Sequence, residues 1–219
     1  MNTYIVNRAG GAVPLNGEVS GTAWAGANAL VIGCYPWYIR GEQQPTVARM
    51  LYDYAALYLQ FQCADRHISA EPRQFNGAVC LDSCVEAFLM PLPQAHRRYV
   101  NLELNCCGQA KVGLGVDRYG RRLMPEDLVR RLSIATSCPG PSKEESPGDT
   151  GWWLAAALPL DAIGAFVGST VAPKSGDLWR ANFYRCGGKT ESQCACWNPI
   201  PWPTPDYHRP EFFGDMRFA

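Results

Sequence analysis

Residues 84–90 and 99–105 alternate with a period of two. In YVNLELN, Val100, Leu102 and Leu104 fall on one side and Tyr99, Asn101, Glu103 and Asn105 on the other, as a strand with two unlike faces requires. In CVEAFLM, Val85, Ala87 and Leu89 oppose Cys84, Glu86, Phe88 and Met90, which sets Glu86 among apolar neighbours. The stretch between them, from Pro91 to Ala95, contains two prolines that neither a helix nor a strand ladder tolerates. The two segments are therefore expected to pair as a hairpin.

The same alternation recurs elsewhere. Leu57, Leu59, Phe61 and Cys63 interleave with Tyr58, Gln60 and Gln62. Residues 152–158 and 215–218 read as strands. In residues 178–185, Trp179, Ala181, Phe183 and Arg185 share one side and Arg180, Asn182 and Tyr184 the other. Asn16 and Gly17 mark a turn ahead of Trp24, which is expected to anchor the core. PEDLVRRL, with Pro125 in a first helical turn, predicts a short helix, and PLDAIGAF one further helical turn. SCPGPSKEESPGDTG reads as an exposed hairpin loop, and residues 197–213 as a long Pro-rich, aromatic loop. With six or so strands, no long helix and no repeat, the expected fold is all-β. It is read as an antiparallel β-sandwich, jelly-roll or immunoglobulin-like, with one or two short helical turns and a single domain over residues 1–219.

Charge narrows the partners. Lys plus Arg and Asp plus Glu both number 20, and basic residues occur only in pairs such as Arg97–Arg98, so no surface is expected to attract nucleic acid. No apolar stretch reaches membrane-spanning length, which argues against a membrane partner. The N-terminal residues lack the charged and apolar regions of an export signal. Cys106–Cys107 are adjacent and Cys194 and Cys196 nearly so, poor geometry for local disulfides among the ten cysteines, which are read as buried thiols. Both features predict a cytoplasmic location. Oligomeric state is left open.

Forked polar side chains and aromatic faces are the groups that recognise sugars. Glu86, Asn101, Glu103, Asn105 and Asn182, joined by Arg185, form a candidate polar row, and Trp197, Trp202 and Tyr207 a candidate platform. Each has a plainer alternative: Glu86 as a buried carboxylate paired with Arg185 or Arg180, the Asn and Glu residues as a solvated strand face, and the tryptophans as a loop packed on the sandwich edge. Cys186, Cys194, Cys196 and His208 offer a metal-binding alternative, although the single residue within CAC is short for zinc. Glu86 and Glu103 could act as a glycosidase acid and base, but no hydrolase motif accompanies them.

The order of motifs resembles carbohydrate-binding module family 9, a sandwich family related to DOMON domains and found attached to xylanases. LNGEVSGTAW, YDYAALYLQFQCAD, DSCVEAFLMP, YVNLELNCCG, WWLAAALPLDAIG, WRANFYRCGG and CWNP followed by HRPEFFGDMRF carry the resemblance through nearly the whole chain. It implies non-catalytic binding of carbohydrate, namely ends of plant-type polysaccharides or oligosaccharides, through the polar sheet face and the aromatic C-terminal loop. It also implies a clamp of two tryptophans. The first would lie just upstream of DSCVE, where NGAVCLDSC contains none; for the second this chain offers Tyr207, with Trp202 and Trp197 close by. No cofactor is expected; some members hold calcium in acidic loops, for which no ligand set matches here. Haem, known in DOMON relatives, would need axial ligands from His67, His96, His208 or methionine, whose spacing is uninformative. Secretion is the alternative location that the resemblance implies. A structural or protein-interaction sandwich without a sugar site is the alternative function.

Overall fold

In the computed structural model, which describes residues 1–219, the strands are β1 (Thr3–Arg8), β2 (Leu30–Ile32), β3 (Thr46–Tyr52), β4 (Ala56–Ala64), β5 (Cys84–Met90), β6 (Tyr99–Asn105) and β7 (Ala110–Gly115). There follow β8 (Arg122–Leu123), the single-turn α1 (Glu126–Val129), β9 (Ser133–Thr136), β10 (Gly151–Pro159), α2 (Leu160–Val167), β11 (Leu178–Gly187), β12 (Gln193–Cys196) and β13 (Gly214–Phe218). One layer runs β8-β7-β6-β5-β11-β13-β1, with β12 also on β11; the other runs β1-β3-β4-β10-β9, with β2 on β3.

β5 and β6 form the expected hairpin, with Cys84 opposite Asn105 and Glu86 opposite Glu103. The sandwich is mixed rather than purely antiparallel. β1 runs parallel to β13 through Thr3–Val6 and parallel to β3 through Asn7–Arg8, and so steps from one layer to the other. Parallel neighbours need a crossover of a dozen or more residues, which residues 9–45 supply between β1 and β3. The strand count is thirteen rather than about six: β2, β8, β9 and β12 are two to four residues long and take their extended shape from the strand beside them, and β1, β3 and β7, six or seven residues each, are also missing from the sequence reading.

The apolar sides of the alternating segments meet between the layers. Val85, Ala87, Leu89, Leu102 and Phe183 pack into the same core as Leu59, Phe61, Trp152 and Leu154. Fully burying side chains of this size contributes roughly 1.5–3 kcal/mol each. The polar side of β4 is covered by the Asn16–Gly17 turn: Gln60 Nε2 donates to the Asn16 carbonyl (2.9 Å) and Gln62 Nε2 to that of Gly17 (3.0 Å). Trp24 is buried, and its indole N–H donates to the Pro14 carbonyl (2.8 Å). α2 has eight residues, two turns instead of one, and ends where Gly168 takes a left-handed φ of 78°. Residues 137–150 form the loop between the paired strands β9 and β10. No helix is long and apolar enough to cross a membrane, and none of the ten cysteines is in a disulfide.

Candidate functional site

The face of β5, β6 and β11 turned away from the core is built in cross-strand rungs. Tyr184, Glu86, Glu103 and Lys111 stand side by side on β11, β5, β6 and β7. The next rung is Asn182, Phe88, Asn101 and Gly113, and the rung on the other side is Cys194, Cys186, Cys84 and Asn105. The C-terminal loop lies across part of this face. There Phe88, Tyr99, Tyr184 and Phe213 make a second, smaller core, with Phe88 stacked on Tyr99 at 5.5 Å.

Beside that core the face stays open as a cleft of about 1000 Å³, floored by Glu86, Glu103, Lys111 and Cys186. Its walls are the stretches 35–42, 80–81, 187–194 and 205–208. Gly187 closes one wall. Its φ is 72°, and a Cβ there would fall 1.9 Å from the Asp82 carbonyl oxygen, so only glycine lets the 80–82 turn rest on the end of β11.

The floor carries two buried carboxyl groups, Glu86 and Glu103. Burial first, and then the facing Glu103, pushes Glu86 up to about 8, so its carboxyl keeps its proton at neutral pH. The Cys186 thiol donates to Glu86 Oε1 (2.9 Å). Burial raises Glu103 as well, opposed by Lys111, whose ammonium lies 3.6 Å from Oε1, and by Asn101 Nδ2, which donates to the same oxygen (2.7 Å). Glu103 Oε2 is buried and has no hydrogen-bond partner in the protein. Such an oxygen costs about 1–3 kcal/mol while it stays without a donor.

At the rim, the Tyr207 ring stacks on Tyr184 at 4.1 Å and lies 5.8 Å from Trp37 at a tilt of 41°. The Tyr207 hydroxyl donates to the Arg185 carbonyl (3.1 Å), which keeps the ring in place. Trp37 is pinned by its indole N–H, which donates to the Trp202 carbonyl (2.6 Å). Arg118 reaches the cleft edge and is held by Asp206 (2.9 Å). His208 packs against Phe88, with Nδ1 2.8 Å from the Tyr99 hydroxyl; burial and then Arg121 and Arg118 push its pKa down to about 3, so it is neutral.

Of the residues read from the sequence, Glu86, Glu103 and Tyr207 come together in the cleft. Asn101 lies behind the floor, where it orients Glu103 and accepts from Arg121 Nε (2.8 Å). The structure places the other five outside the cleft. Asn105 caps the β6–β7 turn, accepting from the backbone N–H of Cys107 (3.2 Å) and Gln109 (2.9 Å). Asn182 clasps the start of the C-terminal loop, donating to the Asn198 carbonyl (3.0 Å) and accepting from its N–H (2.9 Å). Arg185 points into the core, where it pairs with Asp65 and lies 5.4 Å from the Trp152 ring. Trp197 is buried edge-on against Phe183 at 5.8 Å. Trp202 lies outside the cleft beneath Arg209, 3.5 Å from its ring centre. Neither Arg185 nor Arg180 neutralises Glu86: Arg180 bonds the Phe213 carbonyl and lies 3.8 Å from Asp215.

Sequence reading missed Trp37, Lys111 and Arg118. For Trp37 a signal existed, since CYPWYIRGEQQP sets two aromatic residues, Trp37 and Tyr38, between Pro36 and Pro45 in a segment with no alternation, a composition for a loop that presents its rings. Lys111 and Arg118 carried none. The metal-binding set divides: Cys186 and Cys194 are register partners, while Cys196 pairs through its backbone with Cys34, and His208 bonds Tyr99.

Comparison with known proteins agrees with this architecture. The model of carbohydrate-binding family 9 matches residues 27–218. A candidate carbohydrate-binding protein from Bacteroides uniformis superposes with a TM-score of 0.86 at 25% identity, covering 99% of both chains. Two structures of a family 9 carbohydrate-binding module from Caldicellulosiruptor kristjanssonii share the fold. The cellotriose complex has a TM-score of 0.65 at 13% identity, covering 99% of this chain and 93% of that one. The glucose complex has 0.66 at 14%, covering 100% and 96%. No protein of curated function matches the sequence.

Proposed function

The chain belongs to carbohydrate-binding family 9, and from that premise we propose that its cleft holds the terminal rings of a neutral saccharide and performs no chemistry on them. The observation that carries the reading is the pairing of two aromatic faces, Trp37 and Tyr207, above a floor whose buried Glu103 Oε2 has no partner in the protein. The apolar face of a pyranose packs on aromatic rings, while its hydroxyls donate to Glu103 and accept from Lys111 and Arg118. Trp37 takes the place of the aromatic residue absent upstream of DSCVE, reaching the site from the β2–β3 connection.

Chain ends are favoured over chain interiors. The small aromatic core under the C-terminal loop blocks the face on one side and the 80–82 and 187–194 stretches bound another, so a polymer has no straight path through. Oligosaccharide ends of the plant-type β-glucan and xylan classes are the first ligands to test. Calorimetry with glucose, xylose, cello- and xylo-oligosaccharides should detect binding at one site per chain. Trp37→Ala should weaken it about tenfold or more, since losing roughly 1.4 kcal/mol of stacking is a factor of ten. An unchanged affinity in Trp37→Ala, or no binding to any sugar on a glycan array, would overturn the reading. Incubation with xylan and cello-oligosaccharides should yield no new reducing ends.

A further inference from the structure

Next to Glu86 stand two thiols that sugar binding does not use, Cys186 in the cleft floor and Cys84 buried behind it. Cys84 and Glu86 are two residues apart on β5 and so face the same way, and Cys186 is the direct register partner of Cys84 on β11. The two sulfurs and a carboxylate oxygen of Glu86 lie within 4.8 Å of one another, all buried. We propose that Cys84, Glu86 and Cys186 form a binding site for a thiophilic divalent cation, zinc(II) first, with a fourth coordination position open to the cleft.

Three features support it. Donors on a shared tetrahedral zinc at Zn–S of about 2.3 Å and Zn–O of about 2.1 Å lie roughly 3.3–3.8 Å apart. No side of the existing triangle exceeds 4.8 Å, so seating the ion takes only a small adjustment, in which the 2.9 Å edge from Cys186 Sγ to Glu86 Oε1 opens. The floor also has more acidic than basic groups: Glu86 faces Glu103 directly, Lys111 is the one cation of that rung, and Glu103 Oε2 is buried without a partner. The cation replaces the protons of Glu86 and of the two thiols, and its two charges offset two of the three negative charges so formed, with Lys111 on the same sheet face. Finally, two of the three donors are sulfur. Calcium and magnesium take oxygen ligands, whereas paired thiolates select zinc among the common divalent ions.

The site is a strand-borne one, formed by residues about a hundred positions apart, with none of the close Cys spacing by which zinc sites are read from sequence. Three protein ligands and an open position also set it apart from structural zinc sites, whose four positions are all filled by protein.

The test is cobalt(II) titration of the full chain, stripped of metal by chelator and kept reduced. One equivalent should bind, with a thiolate-to-cobalt charge-transfer band in the near ultraviolet, and zinc(II) should displace it. Cys186→Ala and Cys84→Ala should each lose most of the band, and Cys138→Ala, remote from the cleft, should leave it unchanged. Glu86→Gln, which keeps the shape of the floor, should keep the band and weaken cobalt binding tenfold or more, and it decides the matter if a cysteine variant fails to fold. Absence of the band in the parent chain, its persistence in Cys186→Ala, its loss in Cys138→Ala, or unaltered affinity in Glu86→Gln would each overturn the proposal. No sugar enters the measurement, so its outcome is separate from that of the carbohydrate reading.

Discussion

Two adjacent rungs of one sheet face meet opposite fates. On the rung of Glu86, Glu103 and Lys111, polar groups remain at the bottom of an open cleft. One rung along, Phe88 is buried in the small aromatic core, and Asn101, beside it, is buried behind the floor and bonded to Glu103 and Arg121. The same loop makes both. Residues 197–213 close over the rung where the sheet offers aromatic surface, clasped by Asn182 at Asn198, and then present Tyr207 and His208 at the edge of the rung where it offers carboxylates. The closed half supplies the rigidity and the open half the unsatisfied groups. A site of this kind needs both, because a ring such as Tyr207 guides a ligand only if its own position is held, here by stacking on Tyr184.

If the division is real, variants on the two rungs should separate stability from binding. The largest effect is expected from Phe88→Ala, which empties the closed half and should lower unfolding free energy by about 3–5 kcal/mol in urea titrations. A loss below 1 kcal/mol would mean that the aromatic core is not what anchors the loop. Glu103→Gln should do the reverse. Removing a buried charge whose second oxygen lacks a partner should leave stability unchanged or raise it, while saccharide affinity falls about 10- to 100-fold, the range for hydrogen bonds to charged groups.

A third test uses acid. With a folded-state pKa of about 3, His208 stays neutral in the native protein while the unfolded chain takes up a proton near pH 6.5. The unfolded state then binds more protons, so stability conferred by the closed half is whole above that pH and declines as pH falls toward 3. Glu86, raised to about 8, acts in the opposite direction over the same range, so the comparison of variants isolates the His208 part: between about pH 7.5 and about pH 4 the melting temperature of the parent should fall relative to that of His208→Gln. The smallest effect is expected from Trp202→Ala. Its ring lies outside the cleft under Arg209, so affinity should stay within about twofold, a few tenths of a kcal/mol; a larger loss would extend the site to the outer face of the loop.

The face of each residue was legible wherever alternation was clean. Val100, Leu102 and Leu104 face the core and Glu86 and Glu103 face the cleft, as their spacing required. The same rule already set Arg185 with Trp179 and Phe183, and the structure keeps it there with Asp65 rather than at the site. The parallel course of β1 and the short strands were not legible, because pairing direction depends on which distant strand lies alongside, and two to four residues carry too little pattern. Trp197 and Tyr207 illustrate the limit for loops. Both are aromatic residues in a segment without periodicity, yet one is buried against Phe183 and the other lines the cleft.

By itself, the sequence determined the alternating strands, the central hairpin and the two carboxylates side by side, since a period of two and a proline-broken connection act over a few residues. Tertiary structure alone decided which part of that polar face is covered and which is open. That outcome rests on bonds between remote positions, such as Trp37 to the Trp202 carbonyl and Asn182 to Asn198, and on loops whose paths no local pattern encodes. Local sterics choose the face of a side chain; only long-range packing chooses what lies above it.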